Sequence, residues 1–280
     1  MQQDIYITKS DGVKEKFSDF KLRRSLRSAG ASLELAEQLV SHIKGEITEG
    51  ISTDRIYEHA FSLLKKMEKP SAARYSLKRA IATLGPSGFP FEKFVAEIFK
   101  SMGYRTKTGL TLKGGCISHE VDVVALNENE LVIVEAKFHN QVGTKSDAKV
   151  PLYVKSRIDD LAKTDFAGLK KVNLRVDPWI ITNTKFTKTA FDYGSCVGIN
   201  MVDWNKPTDR GLKDLIEDAD LHPVTVITSL NKQEMDGVLQ ANIVLAKTLL
   251  DNSKILTTLG LTPQKIETVL DEVRGIVKKY

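Results

Sequence analysis

A short apolar run that ends in charged residues constrains this chain most. Residues 131–134 read Leu-Val-Ile-Val, and Glu135, Ala136 and Lys137 follow at once. Consecutive apolar residues predict a strand that is buried on both faces, as in a sheet covered by helices. Side chains alternate along a strand, so Glu135 and Lys137 share one face. The fold must therefore accept a carboxylate and an ammonium at the end of a buried strand, where charge is costly unless it is used or paired.

A second carboxylate lies close to the first. Residues 119–126 read as another strand containing Asp122, and Asn-Glu-Asn at 127–129 predicts a hairpin loop to the apolar run. Positions equidistant from the centre of that loop pair Asp122 with Glu135. Adjacent carboxylates repel unless a cation lies between them, and oxygen ligands of this kind suit Mg²⁺ or Mn²⁺. A lysine two residues on can orient water and stabilise charge on a phosphate.

The remaining pattern predicts an α/β protein in three parts. Strands over 104–112, 119–126, 130–138, 179–182 and 198–203 alternate with helices over 91–102, 151–163 and 188–193. A hairpin and four helices, over 19–29, 32–46, 53–67 and 70–82, precede a cluster of Gly and Pro at 84–90. Helices over 212–218, 232–250 and 262–278 follow the last strand. We therefore predict domains over 1–84, 85–206 and 207–280.

Positive charge is concentrated in the middle of the chain. Residues 137–188 hold eleven Lys or Arg against five Asp or Glu, while the whole chain carries only +5. This distribution favours a bound polyanion, although a solvated basic face explains it equally well. The candidates for phosphate contact are the residues that follow Lys137 in the chain, namely Gln141, Lys145, Lys149, Lys155 and Arg157.

Composition excludes several classes of protein. The chain is 41% hydrophobic and 28% charged, which is unlike a disordered or fibrous chain. Its apolar runs are far shorter than the ~18 residues of a membrane span, and no signal peptide is visible. Two cysteines, Cys116 and Cys196, predict reduced thiols rather than a disulfide framework. We expect a cytoplasmic protein that does not bind membranes.

Four stretches carry a family resemblance in the centre of the chain. They are residues 91–104, ending in Gly-Tyr, 119–124 with Asp122, 134–137 with Glu135 and Lys137, and 180–187. In this order they resemble an Mrr-type restriction endonuclease domain of the PD-(D/E)xK nuclease superfamily, which implies an α/β core with a mixed sheet. The resemblance implies that Asp122 and Glu135 bind metal and that Lys137 acts on the attacking water or the phosphate. It also implies that Glu92 adds a carboxylate from the first helix.

The N-terminal part resembles a different family. Residues 7–22, 50–56 and 73–79 are similar to an ATP-cone, a mainly helical nucleotide-binding regulatory module with a β-hairpin. The resemblance implies that Lys9 and Lys21 contact a triphosphate, that Glu15 and Ser18 bond the base or sugar, and that Thr53 and Lys78 close over the site. Ser10 stands where the family usually carries Arg, so ATP and dATP both stay open as effectors. There is no G-x-x-x-x-G-K-[ST] motif, and hydrolysis at the cone is not expected.

These features together predict a nucleotide-regulated, Mg²⁺- or Mn²⁺-dependent endonuclease acting on DNA, expected as a homo-oligomer. The nuclease resemblance is compatible with bacterial defence against foreign DNA. One alternative is a catalytically silent, nucleotide-responsive DNA-binding regulator; another is an assembly protein whose cone drives oligomerisation. The C-terminal helices are interpreted as a subdomain that packs on the nuclease or mediates dimerisation.

Overall fold

The N-terminal part is a hairpin followed by short helices that begin at serine caps. The structure is a computed structural model that describes residues 5–9, 12–141, 143–165, 174–208 and 210–277. The elements are β1 (Tyr6–Thr8), β2 (Lys14–Lys16), α1 (Asp19–Ser28), α2 (Leu33–Glu46), α3 (Thr53–Met67), α4 (Lys69–Tyr75) and α5 (Leu77–Ala82). Ser18, Ser32 and Ser52 accept backbone N–H groups from the first turns of α1, α2 and α3, as N-cap residues do.

The hairpin turn and the last predicted helix of this part differ in how they compare with the sequence predictions. The turn residues Ser10 and Asp11 lie outside the described residues. The single helix predicted over 70–82 is wrong, because the chain forms α4 and α5 with Ser76 between them. The Ser76 hydroxyl donates to the carbonyl of Ala73 at 2.8 Å, which is a local bond that competes with a continuous helix.

A backbone contact joins the hairpin to the start of α3. The N–H of Thr8 donates to the carbonyl of Ile51 at 2.9 Å, and the N–H of Gly50 donates to the carbonyl of Tyr6 at 2.8 Å. Thr8 also forms an isolated parallel bridge with Ser52. These bonds place Thr53, the first residue of α3, beside the hairpin.

The central part is built on a mixed sheet of five strands. Its elements are α6 (Phe89–Ser101), β3 (Arg105–Lys113), β4 (Ser118–Leu126), β5 (Glu130–Lys137), β6 (Lys145–Ser146), α7 (Lys149–Leu161), β7 (Arg175–Thr182), β8 (Lys185–Phe186), α8 (Lys188–Cys196) and β9 (Asn200–Val202). The sheet order is β3-β4-β5-β7-β9. Strands β3 to β5 are antiparallel, whereas β5, β7 and β9 are parallel.

Burial explains this arrangement. Leu131, Val132, Ile133 and Val134 of β5 are all buried, as expected for a central strand covered on both faces. Helices α7 and α8 lie between successive parallel strands, which need such a crossover. The predicted α/β class with a mixed central sheet is confirmed.

The C-terminal part is helical, with one correction. After α9 (Leu212–Asp218) and a 3-10 turn (Val224–Val226) come α10 (Lys232–Gln240), α11 (Ala246–Asp251), α12 (Lys254–Thr258) and α13 (Pro263–Ile276). The helix predicted over 232–250 is wrong because it is divided between α10 and α11. Asn242 adopts φ 64° there, and Leu245 forms an antiparallel bridge with Pro223. A left-handed residue ends a helix, and the bridge holds the following segment extended.

One hydrophobic core joins all three parts. Ala73, Leu77 and Ile81 of α4 and α5 belong to the same buried cluster as β4, β5 and the C-terminal helices. The Thr225 hydroxyl donates to the carbonyl of Ala80 at 2.5 Å, so the C-terminal part contacts the last helix of the N-terminal part directly. Within the described residues, every helix is too short or too polar to span a bilayer.

Candidate active site

Asp122 and Glu135 meet at the end of the β4–β5 hairpin. The β4–β5 register pairs Val123 with Val134, so Asp122 and Glu135 occupy the next position along the two strands. This is the register that the loop symmetry predicts. The Oδ2 atom of Asp122 accepts the N–H of Ala136 at 2.7 Å. A carboxylate therefore takes the place of a regular ladder bond at this point.

The neighbouring strand also opens at Asp122. Thr108 pairs with Val123 and Leu110 with Val121, which puts Gly109 of β3 opposite Asp122. Gly109 has φ 62°, a conformation that costs a non-glycine residue about 1–2 kcal/mol. The left-handed residue interrupts β3 beside the carboxylate, so the sheet is irregular on both sides of Asp122.

Arg157 of α7 completes this cluster. Its guanidinium Nη1 lies 2.5 Å from Oε2 of Glu135, and its Cζ lies 4.7 Å from the ring centroid of Tyr153. Arg157 is only 8% exposed. The prediction that it contacts the DNA backbone does not hold in this structure, because helix α7 turns this residue inward and a carboxylate already occupies its charged end. The spacing of residues in the sequence did not indicate the ion pair between Arg157 and Glu135.

Burial and neighbouring carboxylates raise the pKa values of Asp122 and Glu92. Burial, followed by the charge of Glu135, raises the pKa of Asp122 to about 6. Burial, followed by the charge of Asp122, raises the pKa of Glu92 near the start of α6 to about 7. Glu92 thus belongs electrostatically to the same acidic cluster. Such perturbed groups gathered in one place are a feature of functional sites.

Lys137 faces this cluster without an internal partner. Within the part of the chain that is described, its ammonium forms no hydrogen bond or ion pair. Asp122, Glu135 and Lys137 line a pocket of about 380 Å³ together with Pro86 and Gly88. The Gly- and Pro-rich segment predicted only as a domain boundary therefore forms one wall of the site.

A residue without a predicted role fixes the chain beyond Lys137. The Asn183 side chain accepts the N–H of His139 at 2.8 Å and donates to the carbonyl of His139 at 2.6 Å. Asn183 is 1% exposed. The His139 ring contacts the Ser146 hydroxyl at 2.9 Å, and burial lowers the pKa of His139. This clamp holds the backbone two residues from Lys137 against the end of β7.

The other predicted DNA contacts lie on different surfaces. Lys145 and Lys149 are exposed, as a phosphate contact requires. Lys155 pairs with Asp159 one turn further along α7. Gln141 is exposed in a groove that it shares with Asp54 and Arg79. Among these candidates, Lys145 and Lys149 are therefore the exposed cations for which the described residues supply no ion-pair partner.

The donor set suits a hard divalent cation. Oδ2 of Asp122 and Oε2 of Glu135 are engaged, whereas Oδ1 and Oε1 accept no hydrogen bond from the residues described here. Two carboxylate oxygens with room for water match the way Mg²⁺ is commonly bound, through one or two carboxylates and several waters. The carboxylates of Glu92, Asp122 and Glu135 do not converge within 4.8 Å, since His42, Glu46 and His59 form the one group of three that does so in the described residues. Glu92 is therefore placed to act through water or charge.

The predicted nucleotide residues form two connected groups. Oε2 of Glu15 lies 3.1 Å from Nζ of Lys21 and 3.4 Å from Nζ of Lys9, and the hydrogen bond from Lys21 lowers the pKa of Glu15. The Ser18 hydroxyl accepts the N–H of Lys21 at 3.3 Å. Glu15 and Ser18 are thus occupied by the protein itself.

Lys21 also belongs to the second group. Lys21, Thr53 and Lys78 line one cleft, which brings residues from α1, α3 and α5 together. Lys78 is half-buried, and burial lowers its pKa. Residues of four elements, β2, α1, α3 and α5, thus meet around Lys21.

Comparison with family models defines the class of protein. The model of the ATP cone domain matches residues 5–83, the restriction endonuclease model matches residues 85–206, and the model "AF1548-like, C-terminal" matches residues 222–277. The chain therefore carries an ATP-cone followed by a nuclease domain of the restriction-endonuclease type, and the predicted fusion is confirmed. The cone indicates nucleotide regulation, and domains of this nuclease class generally use divalent metals.

Individual relatives place the chain more closely. An uncharacterized protein of Archaeoglobus fulgidus is 30% identical over 184 residues, which cover 65% of this chain and 99% of the relative. The crystal structure of AF1548, a protein of unknown function, is 29% identical with a TM-score of 0.56, covering 68% of this chain and 98% of that one. The chain therefore belongs to the same family as this Archaeoglobus fulgidus protein. A repair endonuclease from Pyrococcus abyssi, at 14% identity and TM-score 0.31 over 42% of this chain and 46% of its own, is too distant to support an argument.

Proposed function

We propose that this protein is a divalent-metal-dependent endonuclease that hydrolyses phosphodiester bonds of DNA and is regulated by ATP or dATP bound at the cone. The observation that carries the proposal is the meeting of Asp122 and Glu135 at the end of a buried hairpin, beside Lys137, which pairs with none of the described residues. A cluster with this composition is costly to keep in a fold. Binding a cation and a phosphate would offset that cost.

Each residue of the cluster has a distinct part in this proposal. Asp122 and Glu135 hold Mg²⁺ or Mn²⁺ through their free oxygens, and the ion supplies positive charge to the scissile phosphate when it is bound. Lys137 binds the phosphate or orients the attacking water. Glu92, with its raised pKa, can hold a proton near neutral pH.

Arg157 is a positioning residue in this scheme. Its contact fixes one oxygen of Glu135 and leaves the other directed to the site. It also offsets the negative charge of the cluster before a cation arrives, which keeps the two carboxylates from moving apart.

The DNA backbone is placed along Lys145 and Lys149. Both are exposed and follow the active strand in the chain. Lysine contacts to phosphate give affinity without sequence choice and weaken as salt rises. Gln141 and Lys155 flank this path, so they are proposed as secondary contacts. Defence against foreign DNA stays a prediction of the family resemblance.

Metal-dependent cleavage tests the enzyme proposal. Purified protein is incubated with plasmid and with single- and double-stranded oligonucleotides in Mg²⁺, in Mn²⁺ and in EDTA. We expect cleavage that requires the divalent ion. Binding of the same DNA without cleavage in any ion would instead favour a nucleotide-responsive DNA-binding regulator.

The acidic cluster also predicts how stability depends on pH. Between the ordinary pKa near 4.5 and the folded value of about 7, Glu92 holds a proton in the folded state that it lacks when unfolded. Stability from this group therefore falls as pH rises through that window. In EDTA, the free energy of unfolding of the wild type should fall between pH 5 and pH 8, and that of Glu92→Gln should fall by about 1 kcal/mol less. This difference is smaller than the full pKa shift would give, because the Glu92 side chain is only half-buried.

Urea unfolding at the two pH values measures this effect. Glu97→Gln is the matched control, because Glu97 lies on the same helix and pairs with Lys100 away from the cluster. If the free energy of unfolding depends on pH equally in wild type and Glu92→Gln, Glu92 does not belong electrostatically to the acidic cluster.

A further inference from the structure

The cleft that Lys21, Thr53 and Lys78 line is not formed by the cone alone. It has a volume of about 440 Å³, and one wall carries Lys21, Thr53 and Lys78. The opposite wall carries Trp204, Asn205 and Lys213, which come after β9 and outside the cone. A volume of this size is in the range of small-molecule sites. The cleft is therefore an interdomain pocket that only the full chain can build.

The lining of the pocket is strongly basic. Six Lys or Arg residues face two carboxylates, Asp54 and Glu217. Asp54 is held by Arg79 at 2.6 Å and Glu217 by Lys213 at 3.5 Å, so both carboxylates are already paired. The remaining excess of positive charge favours an anion with several negative charges.

Lys78 contributes a half-buried positive charge to the pocket. No carboxylate of the described residues lies within ion-pair distance of its ammonium, which is 5.8 Å from the ring centroid of Trp204. Burial and the charge of Lys185 lower the pKa of Lys78. A half-buried ammonium without an ion-pair partner is well placed to bind a phosphate.

Flat apolar surfaces line the same space. The Trp204 ring lies on one wall, and Tyr57 and Tyr75 stack on the other with ring centroids 5.1 Å apart. The Arg79 guanidinium lies 3.7 Å from the centroid of the Tyr57 ring. Aromatic faces beside cations suit a ligand that joins a base to phosphates.

The wall formed by Trp204, Asn205 and Lys213 is the outer wall of the pocket, and hydrogen bonds hold its backbone in place. Oδ1 of Asp203 accepts the N–H groups of Asn205 and Lys206 at 2.8 and 2.9 Å. The N–H of Lys213 donates to the carbonyl of Trp204 at 3.3 Å. A ligand that contacts Lys213 would therefore also act on the backbone at Trp204.

From Trp204 the contacts run towards β5. The N–H of Trp204 donates to the carbonyl of Thr184 at 3.0 Å. Asn183, the preceding residue, clamps both backbone groups of His139. These bonds link the pocket wall to the segment that follows Lys137, which gives an effector a physical means to bias the active strand.

We propose that a nucleoside triphosphate binds in this interdomain pocket and is contacted by Trp204, Asn205 and Lys213 from outside the cone as well as by the cone itself. The inference rests on the proposed nucleotide regulation and adds the residues that would transmit it. A ligand held by both walls binds one relative arrangement of cone and nuclease better than others. That differential affinity is what regulation requires.

Calorimetric titration of the full chain with ATP and with dATP tests the outer wall. Lys213→Ala removes a pocket lysine that pairs with Glu217 one turn away. Lys188→Ala is the matched control, because Lys188 pairs with Asp192 at the same spacing but lies outside the pocket. We expect Lys213→Ala to weaken binding roughly tenfold, as for loss of one charge-assisted contact, and Lys188→Ala to leave affinity within about twofold.

The other outcomes separate this inference from the function on which it rests. Wild-type affinity in Lys213→Ala, together with lost binding in Lys9→Ala plus Lys21→Ala, would restrict the site to the cone and overturn the inference alone. No nucleotide binding by wild type would overturn both the inference and the proposed regulation.

Tryptophan fluorescence gives a second readout that needs no charge change. Trp179 and Trp204 are the two tryptophans of the chain, so Trp179→Phe leaves Trp204 as the reporter. We expect its emission to change with the same ATP dependence as the calorimetric signal. An unchanged emission at saturating ATP would contradict contact with the Trp204 wall.

Discussion

Replacing Lys137 by Ala is expected to reduce the rate of DNA cleavage by about 10²- to 10⁴-fold. The ammonium lies at the end of β5 beside the carboxylates of Asp122 and Glu135, and no described residue pairs with it. A group that stabilises charge or transfers a proton at a phosphate contributes on this scale. The folded state loses no ion pair, so the free energy of unfolding and the affinity for ATP should stay close to wild type.

Single-turnover cleavage with Mg²⁺ or Mn²⁺ measures this effect. Lys107→Ala is a suitable control because Lys107 is an exposed lysine on β3 of the same sheet. Glu135→Ala should also lose cleavage, but with altered metal dependence. If Lys137→Ala cleaves as fast as Lys107→Ala, the site described above is not the catalytic one.

Replacing Arg157 by Ala is expected to lower the free energy of unfolding by about 3–5 kcal/mol. The change removes one member of a buried ion pair and leaves the Glu135 charge without its partner, which is the costly way to break such a pair. Part of the loss should return in Arg157→Ala combined with Glu135→Gln, since that variant buries no unpaired charge. The prediction applies to the metal-free protein, where no cation can substitute for the guanidinium.

Urea unfolding in EDTA gives the comparison. Arg175→Ala is the control: Arg175 pairs with Glu130 at 3.0 Å, but its side chain is 71% exposed. Loss of an exposed pair should cost no more than about 1 kcal/mol. Equal losses in the two variants would show that the Arg157 pair contributes as little as a surface pair. If Arg157→Ala does not fold, Arg157→Lys should fold with an intermediate loss, because it keeps the charge without the planar guanidinium.

Local sequence patterns were sufficient to predict that Asp122, Glu135 and Lys137 lie close together. The apolar run of β5 sets burial, the loop symmetry sets the register, and strand alternation puts Glu135 and Lys137 on one face. These are short-range rules that one sequence contains. The serine caps at Ser18 and Ser52 are also local, since each hydroxyl accepts an N–H group from the first turn of the helix that follows it.

Residues that depend on tertiary packing were not predictable in this way. Arg157 reads as a surface cation in a basic segment, yet the packing of α7 against the sheet buries it beside Glu135. Asn183 lies in the 180–187 stretch that carries the family resemblance, but the pattern gave it no role, because that role depends on the distant backbone of His139. The outer wall of the basic cleft depends on how three parts of the chain share one core, and neither periodicity nor charge counting contains that information.

The same limit applies to the C-terminal helices. Periodicity predicted one helix over 232–250, since the apolar spacing continues across the break. The left-handed Asn242 and the bridge between Leu245 and Pro223 divide it. The bridge pairs residues that lie far apart in sequence, so no local window could reveal it.

In the proposed function, one chain couples nucleotide binding to metal-dependent cleavage of DNA. The most direct measurement is the rate of plasmid cleavage at a fixed concentration of Mg²⁺ while ATP or dATP is varied, with oligomer size followed in parallel. We predict cleavage that disappears in EDTA and changes with nucleotide over the concentration range in which the nucleotide binds. A cleavage rate that does not respond to saturating ATP or dATP, or the absence of any cleavage by the wild-type protein, would contradict this account.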